Sequence, residues 1–232
     1  MRCRIADLIV EIPEAGGLAP RCQAYLTEET SDADIVLRTE DYLQEPWKNR
    51  PYELMCYMES CAVFYSRLLR FDGMMLHASA ITLNGKVFLF SGPSTVGKST
   101  HTRLWKQLFG DAACIINDDK PALRFIEGCW YAYGTPWCGK DGINENRKAV
   151  LAGICFLKQG SENRIRRLAP VEAIPLLLSQ TIYKISKPET MDLLIAAIDK
   201  LVRAIPIFEL ENLPNEDAAR LSSATMLAAA EE

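Results

Sequence analysis

One short segment constrains this chain more than any other. Gly92-Pro93-Ser94-Thr95-Val96-Gly97-Lys98-Ser99 fits the pattern G-x-x-x-x-G-K-[ST] at every fixed position. Roughly one chain of this length in a hundred would match by chance, given ordinary residue frequencies. The pattern has chemical meaning only between a strand and a helix. There the loop amides converge on one point and the helix adds its positive end. Both flanks are present: residues 86–90 alternate as a strand should, and residues 98–109 read as a helix stopped by Gly110. Loops of this kind cradle the phosphates of ATP. Residues 92–97 and Thr100 would line the nucleotide, Lys98 would reach the β and γ phosphates, and the Ser99 hydroxyl would ligate Mg²⁺.

The surrounding pattern extends this unit. Residues 76–83 read as a strand, Asn84-Gly85 as a two-residue hairpin turn, and residues 112–116 as a short apolar strand running into Asn117-Asp118-Asp119. Strand, loop, helix, strand is a βαβ unit, which predicts an α/β fold: a mixed, largely parallel sheet flanked by helices. The apolar run 149–157 reads as a further buried strand. Helices are expected over 170–183, 191–204 and 215–230, and a late strand over 205–210. Upstream, 5–12 and 35–37 read as short strands and 53–69 as a helix, closed by Phe71-Asp72-Gly73. The change of texture after this turn divides the chain into a small N-terminal α+β region, 1–72, and a loop-bearing domain, 73–232.

Composition removes several alternatives. The 26 lysines and arginines stand against 30 aspartates and glutamates, a net charge of −4 over 232 residues. That balance gives no general attraction to nucleic acid or to anionic membranes, so neither is expected as a partner. The early apolar run is interrupted by Asp7 and followed by Glu11 and Glu14. It does not read as a signal peptide, and no stretch approaches the roughly 20 apolar residues of a membrane span. The expected location is cytoplasmic. Eight cysteines without a C-x-x-C pair, beside only two histidines, argue against structural zinc. Reduced thiols, several of them buried, are expected instead.

The adjacent carboxylates Asp118 and Asp119 fall at the carboxyl end of a strand, where sheets of this class bind ligands. One can hold Mg²⁺ or its waters while the other accepts a hydroxyl proton. The residues alone do not say which does which. His77, at the start of the strand leading to the loop, reads on its own as a structural histidine. His101 in the first turn of the next helix either grazes the nucleotide or faces solvent, and the solvent-facing reading is preferred.

Taken together, His77-Ala-Ser-Ala, Asn84-Gly85, the loop through Ser99, and Ile116-Asn117-Asp118-Asp119 follow the order found in HPr kinase/phosphorylase. The chain resembles the catalytic domain of that family, whose core is shared with phosphoenolpyruvate carboxykinases. It is similar also to shorter related proteins linked to peptide modification, including lasso-peptide kinases. The resemblance implies an ATP- and Mg²⁺-dependent kinase acting on a hydroxyl, with serine or threonine of a peptide or protein as acceptor. A small-molecule kinase, or a regulatory module that binds ATP without transfer, is the alternative. The resemblance assigns Lys98 to the phosphates, Ser99 and Asp119 to the metal, Asp118 to the base role, and His77 to the neighbourhood of the transferred phosphoryl group. It also makes a homo-oligomer possible.

The chain departs from that family in three places. Pro93 stands where HPr kinases carry an acidic residue, and neither their Glu-x-Arg-Gly nor their Gly-Arg-Asn segment has a counterpart. The resemblance therefore does not extend to phosphorylase activity or to HPr as substrate. The loop 134–140 is expected either as an acceptor-side lid, with Lys140 reaching phosphate, or as a surface loop with Trp137 packed on the core. Arg147 and Lys148 could add positive charge to the transition state. Arg164, Arg166 and Arg167 read as a solvated face or, less readily, as a dock for an acidic peptide.

Overall fold

The computed structural model describes residues 1–14, 16–38, 51–181 and 188–231. The chain opens with a hairpin, β1 (Arg2–Ile5) and β2 (Leu8–Glu11), whose turn residues Ala6 and Asp7 both have positive φ. The short β3 (Ile35–Val36) adds to β2 in parallel. A brief helix α1 (Ala19–Cys22) and the long α2 (Tyr52–Leu68) pack on this small sheet. Glycine and proline are absent from α2, and Cys56, Ser60, Phe64 and Leu68 fall four residues apart on its buried face. These side chains join Ile5, Val10, Tyr25 and Ile35 in one core, which continues across to Met75, Ala122, Tyr133 and Trp137.

The larger sheet has nine strands. They are β4 (Gly73–Met75), β5 (Ala78–Leu83), β6 (Lys86–Ser91), β7 (Ala113–Asn117), β8 (Ala122–Ile126), β9 (Cys129–Tyr133), β10 (Lys148–Gln159), β11 (Arg164–Arg167) and β12 (Ile207–Asn212). Their order is β4-β8-β9-β10-β6-β5-β7, with β12 between β10 and β11. On β6, Val87 and Leu89 face one core while Phe88 and Phe90 face another, the period-two alternation of a strand. Helices α4 (Pro170–Ser179) and α5 (Pro188–Ala204) cover the first face; α3 (Lys98–Phe109) and α6 (Glu216–Ala229) cover the second. Burial on both sides explains why β10 is an unbroken buried run from Leu151 to Leu157.

The sheet is mixed rather than largely parallel. Among the described pairings of this larger sheet, only β10 with β6 and β10 with β12 are parallel. The reason lies in the hairpins. Asn84 and Gly85 both take positive φ, the turn that suits strand twist, and fold β5 back onto β6. β5 thereby occupies the place between β6 and β7, which run the same way without touching. A second hairpin, β8–β9, turns at Glu127-Gly128 with the same positive φ values. Glutamate is an uncommon residue for that position, so the usual Asn-Gly or Asp-Gly signal is missing there. The helix expected over 170–183 ends at Ser179, and residues 182 and 183 lie outside the described residues. Six of the eight cysteines are buried and all eight are free thiols.

Candidate active site

The site begins where β6 ends. Gly92 has φ +138°, and a Cβ there would stand 3.1 Å from the Leu157 carbonyl oxygen and from Val96 Cγ1. Only glycine fits both the backbone and the space. Thr95 and Gly97 also take positive φ, and the Val96 amide closes the loop on the Pro93 carbonyl at 3.3 Å. The first backbone bond of α3 runs from the His101 amide to Gly97 O at 2.9 Å. Among the described residues, that leaves the amides of Lys98, Ser99 and Thr100 as unpaired first-turn donors at the positive end of the helix. Lys98 arches back so that Nζ donates to Gly92 O at 3.0 Å and Pro93 O at 3.1 Å. Burial lowers its pKa, while Asp119 and Asp118 oppose that change.

Across from the loop, β7 delivers the carboxylates. Asn117 Oδ1 accepts from the amides of Asp119 (3.0 Å) and Lys120 (2.7 Å), forcing the chain to turn directly after the strand. Asp118 Oδ1 accepts from Ser79 Oγ at 2.9 Å, and Ser79 Oγ lies 2.8 Å from Thr102 Oγ1 on α3. A buried hydroxyl chain thus fixes Asp118 relative to the loop helix. Asp119 sits 3.0 Å from His77 Nε2 and is also ion-paired with Lys120. Burial alone would raise its pKa, but His77 and Lys120 outweigh burial and hold it at about 2. His77 is anchored in turn: its amide donates to Gln180 O at 2.7 Å, and Nδ1 lies 3.3 Å from Gln180 Oε1.

These groups surround one cleft of about 480 Å³. His77, Ser94, Thr95, Gly97, Lys98, Ser99, Thr100, Asp118 and Asp119 all line it. Gly92, Pro93 and Val96, also expected at the nucleotide, instead face a hollow on the other side of the loop. The sequence reading missed Ser79, Thr102 and Asn117, because small polar residues inside a strand or helix carry no signal of their own. It also missed Arg103, which lines the cleft and pairs across it with Asp141.

Loop 134–140 packs Trp137 on the core, as one of its two readings expects. Trp137 is fully buried, stacked on Phe64 at 4.6 Å, with Nε1 donating to Ser60 Oγ at 3.0 Å. Its neighbours Gly139, Lys140 and Asp141 line the cleft. A Cβ on Gly134 would meet Glu145 O at 1.8 Å, so only glycine lets the loop enter here. Arg147 and Lys148 do not line the cleft; Arg147 pairs with Glu145 at 3.4 Å and Lys148 with Asp7. The arginines of β11 lie at a sheet edge, where Arg166 pairs with Glu172 at 2.8 Å and Glu209 at 3.1 Å.

His101 neither faces solvent nor lies in the main cleft. It is buried against Phe90 (4.5 Å) with Nε2 2.9 Å from Ser222 Oγ. Burial lowers its pKa to about 4. Beside it, a hollow of about 410 Å³ is lined by Thr95, Val96, Thr100, Gln159 and Asn212. Asn212 is buried; its Nδ2 donates to Leu213 O at 3.2 Å, while its buried Oδ1 has no partner among the described residues. The hollow therefore adjoins the loop, with Asn212 and Gln159 in its wall.

No curated protein matches the sequence. Among solved structures, the chain is similar to the Hpr(Ser) kinase/phosphatase from Coxiella burnetii, at 12% identity and a TM-score of 0.34, over 66% of this chain and 93% of that one. Among the described residues no helix is long and apolar enough to cross a membrane. A family model described as SynChlorMet cassette protein ScmC matches residues 44–213, most of the chain, and the protein belongs to that family.

Proposed function

We propose that the protein is an ATP-dependent kinase that transfers the γ-phosphoryl group to a hydroxyl, that of serine or threonine in a peptide or protein. The observation that carries this reading is the single cleft in which Lys98, Ser99, Asp118, Asp119 and His77 meet at the positive end of α3. Unpaired amides and a lysine suit an anion, and a carboxylate pair opposite them suits phosphoryl transfer.

The donor set suits magnesium. Ser99 and Asp119 offer hard oxygen atoms, and Mg²⁺ in such sites takes one or two carboxylates plus substrate phosphates rather than an all-protein cage. When bound, the ion would offset charge on the phosphate oxygens.

The chain's own residues divide the remaining work. Lys98 exchanges its two loop carbonyls for phosphate oxygens. Asp118 takes the proton from the acceptor hydroxyl. Its Oδ1 is held by Ser79, and Oδ2 has no hydrogen-bond partner among the described residues. Asp119 has one oxygen on His77 and the other on Lys120, so Asp118 keeps the freer carboxylate oxygen for that step. His77 lines the cleft and steadies Asp119. The hollow beside Thr100 suits the base of ATP, since it adjoins the loop and has the amide-bearing residues Gln159 and Asn212 in its wall.

The test is incubation of the full chain with γ-labelled ATP, Mg²⁺ and fractionated lysate. Label in a peptide or protein fraction, lost with Asp118→Asn, is expected. Label only in a metabolite would replace the acceptor class. ATP bound with no labelled fraction would remove the transfer reading.

A further inference from the structure

The phosphate cleft does not end at Asp119. A second hollow of about 310 Å³ opens beyond it and shares Asp119, Gly139 and Lys140 with the cleft. Apart from Cys138, its other walls come from the N-terminal region, which has no role in the transfer chemistry above: Gly17 and Arg21, and Glu53, Leu54 and Tyr57 at the start of α2.

Three observations indicate what enters it. The first is position. Attacking and leaving oxygens stand on opposite sides of a transferred phosphoryl group. The hollow beside Asn212 lies on one flank of the loop, and the Arg21–Tyr57 hollow opens past the carboxylates on the other. The second is an apolar floor. Leu54 is 42% exposed at the hollow, and the Tyr57 ring lies flat enough for the Arg21 guanidinium to sit 5.1 Å from its centre. The third is charge. Arg21 gives Nη1 to Cys138 O at 2.9 Å and to the Cys138 sulfur at 3.1 Å, but pairs with no carboxylate among the described residues. Lys140 likewise has no carboxylate partner among them. Two carboxylates also line the hollow, Glu53 at the α2 side and Asp119, which is already paired with His77 and Lys120, so the uncommitted positive charge lies with Arg21 and Lys140.

We infer that this hollow is the acceptor pocket, and that its occupant is a peptide segment whose serine or threonine adjoins a large apolar side chain and an acidic one. The apolar side chain seats on Leu54 and Tyr57, the carboxylate meets Arg21, and the hydroxyl is left at the shared edge beside Asp118 and Asp119. This assignment rests on the kinase reading for the word acceptor; the peptide preference itself does not.

The experiment separates the two. A displayed library of random peptides containing one fixed serine is selected on the immobilised full chain in the presence of ADP and Mg²⁺. Recovered peptides are then sequenced, resynthesised and offered ATP. Enrichment of aromatic or large aliphatic residues beside the serine, with aspartate or glutamate close by, is expected. Arg21→Gln should reduce the acidic preference about tenfold, the scale of one charge-assisted hydrogen bond. Because Arg21 also steadies the Cys138 backbone, Leu54→Glu provides an independent variant at an exposed position and should abolish the apolar preference. Random recovery, or preferences unchanged in both variants, overturns the pocket. Peptides that bind with these preferences yet take no phosphate overturn the transfer reading and leave a peptide-binding site.

Discussion

Two loops meet over the same cleft, and they are held in place by opposite means. The 92–97 loop is fixed largely by its own backbone: positive φ at Gly92, Thr95 and Gly97, an internal bond from Val96 to Pro93, and Lys98 folded onto its carbonyls. The 134–140 loop is fixed by distant residues. Trp137 leans on Phe64 and Ser60; Thr135 donates to Lys120 O at 2.8 Å; Tyr57 and Arg21 both donate to Cys138 O. A loop made by local backbone geometry announces itself as a motif. A loop made by tertiary packing is read only as glycines, a proline and a tryptophan in a row.

Substitutions can sharpen this contrast. The largest effect is expected on the chemistry that the first loop serves. Asp118→Asn should leave ATP binding nearly intact and cut transfer by roughly 10²- to 10⁴-fold, the range of a positioned base. Lys98→Ala should impair both. Single-turnover transfer and nucleotide titration, run side by side, check the pair; near-normal transfer by Asp118→Asn would reassign the base.

The second loop should instead yield to loss of packing. Trp137→Ala removes a fully buried side chain and is expected to cost about 3–5 kcal/mol of stability. Urea unfolding measures this, and a cost below about 1 kcal/mol, ordinary for a surface change, would show that the loop does not depend on its anchor.

An intermediate effect is expected from pH, through the helix that follows the first loop. The buried His101 titrates at about 4 in the folded chain, below its ordinary value of 6.5. Between those values the unfolded chain binds the additional proton, so stability falls as pH drops through 6.5 toward 4. From pH 7 to pH 5 the loss should be on the order of 2 kcal/mol. His101→Gln should flatten that slope, and an unchanged slope would locate the titrating group elsewhere.

The smallest effect is expected at the flank of the first loop. Gln159→Ala should reduce preference for ADP over GDP about tenfold in a binding titration, the scale of one hydrogen bond to the base. Equal preference in both proteins would move the base to the other side of the loop.

Much of the core was legible because its signals are local. The Asn84-Gly85 turn, the helix from Lys98 to Phe109 and the buried run in β10 follow from turn chemistry, a glycine stop and apolar continuity. The β8–β9 hairpin was not legible, since Glu127 takes a positive φ more typical of asparagine. His101 was misplaced for a related reason. Its burial depends on α6 supplying Ser222, more than a hundred residues later in the chain.

The sequence by itself determined the loop, its helix and the adjacent carboxylates, because each depends on backbone conformations that a few neighbouring residues dictate. Tertiary structure decided the rest. It inserted β5 between β6 and β7 and so made the sheet mixed. It gave Asp119 to His77 and Lys120 while leaving one oxygen of Asp118 open. It also tied Arg21 and Tyr57 to the carbonyl of Cys138, 117 and 81 positions away, at the rim of the cleft. Such contacts arise only when separate elements bury their apolar faces together, and no local pattern encodes which polar groups will then meet.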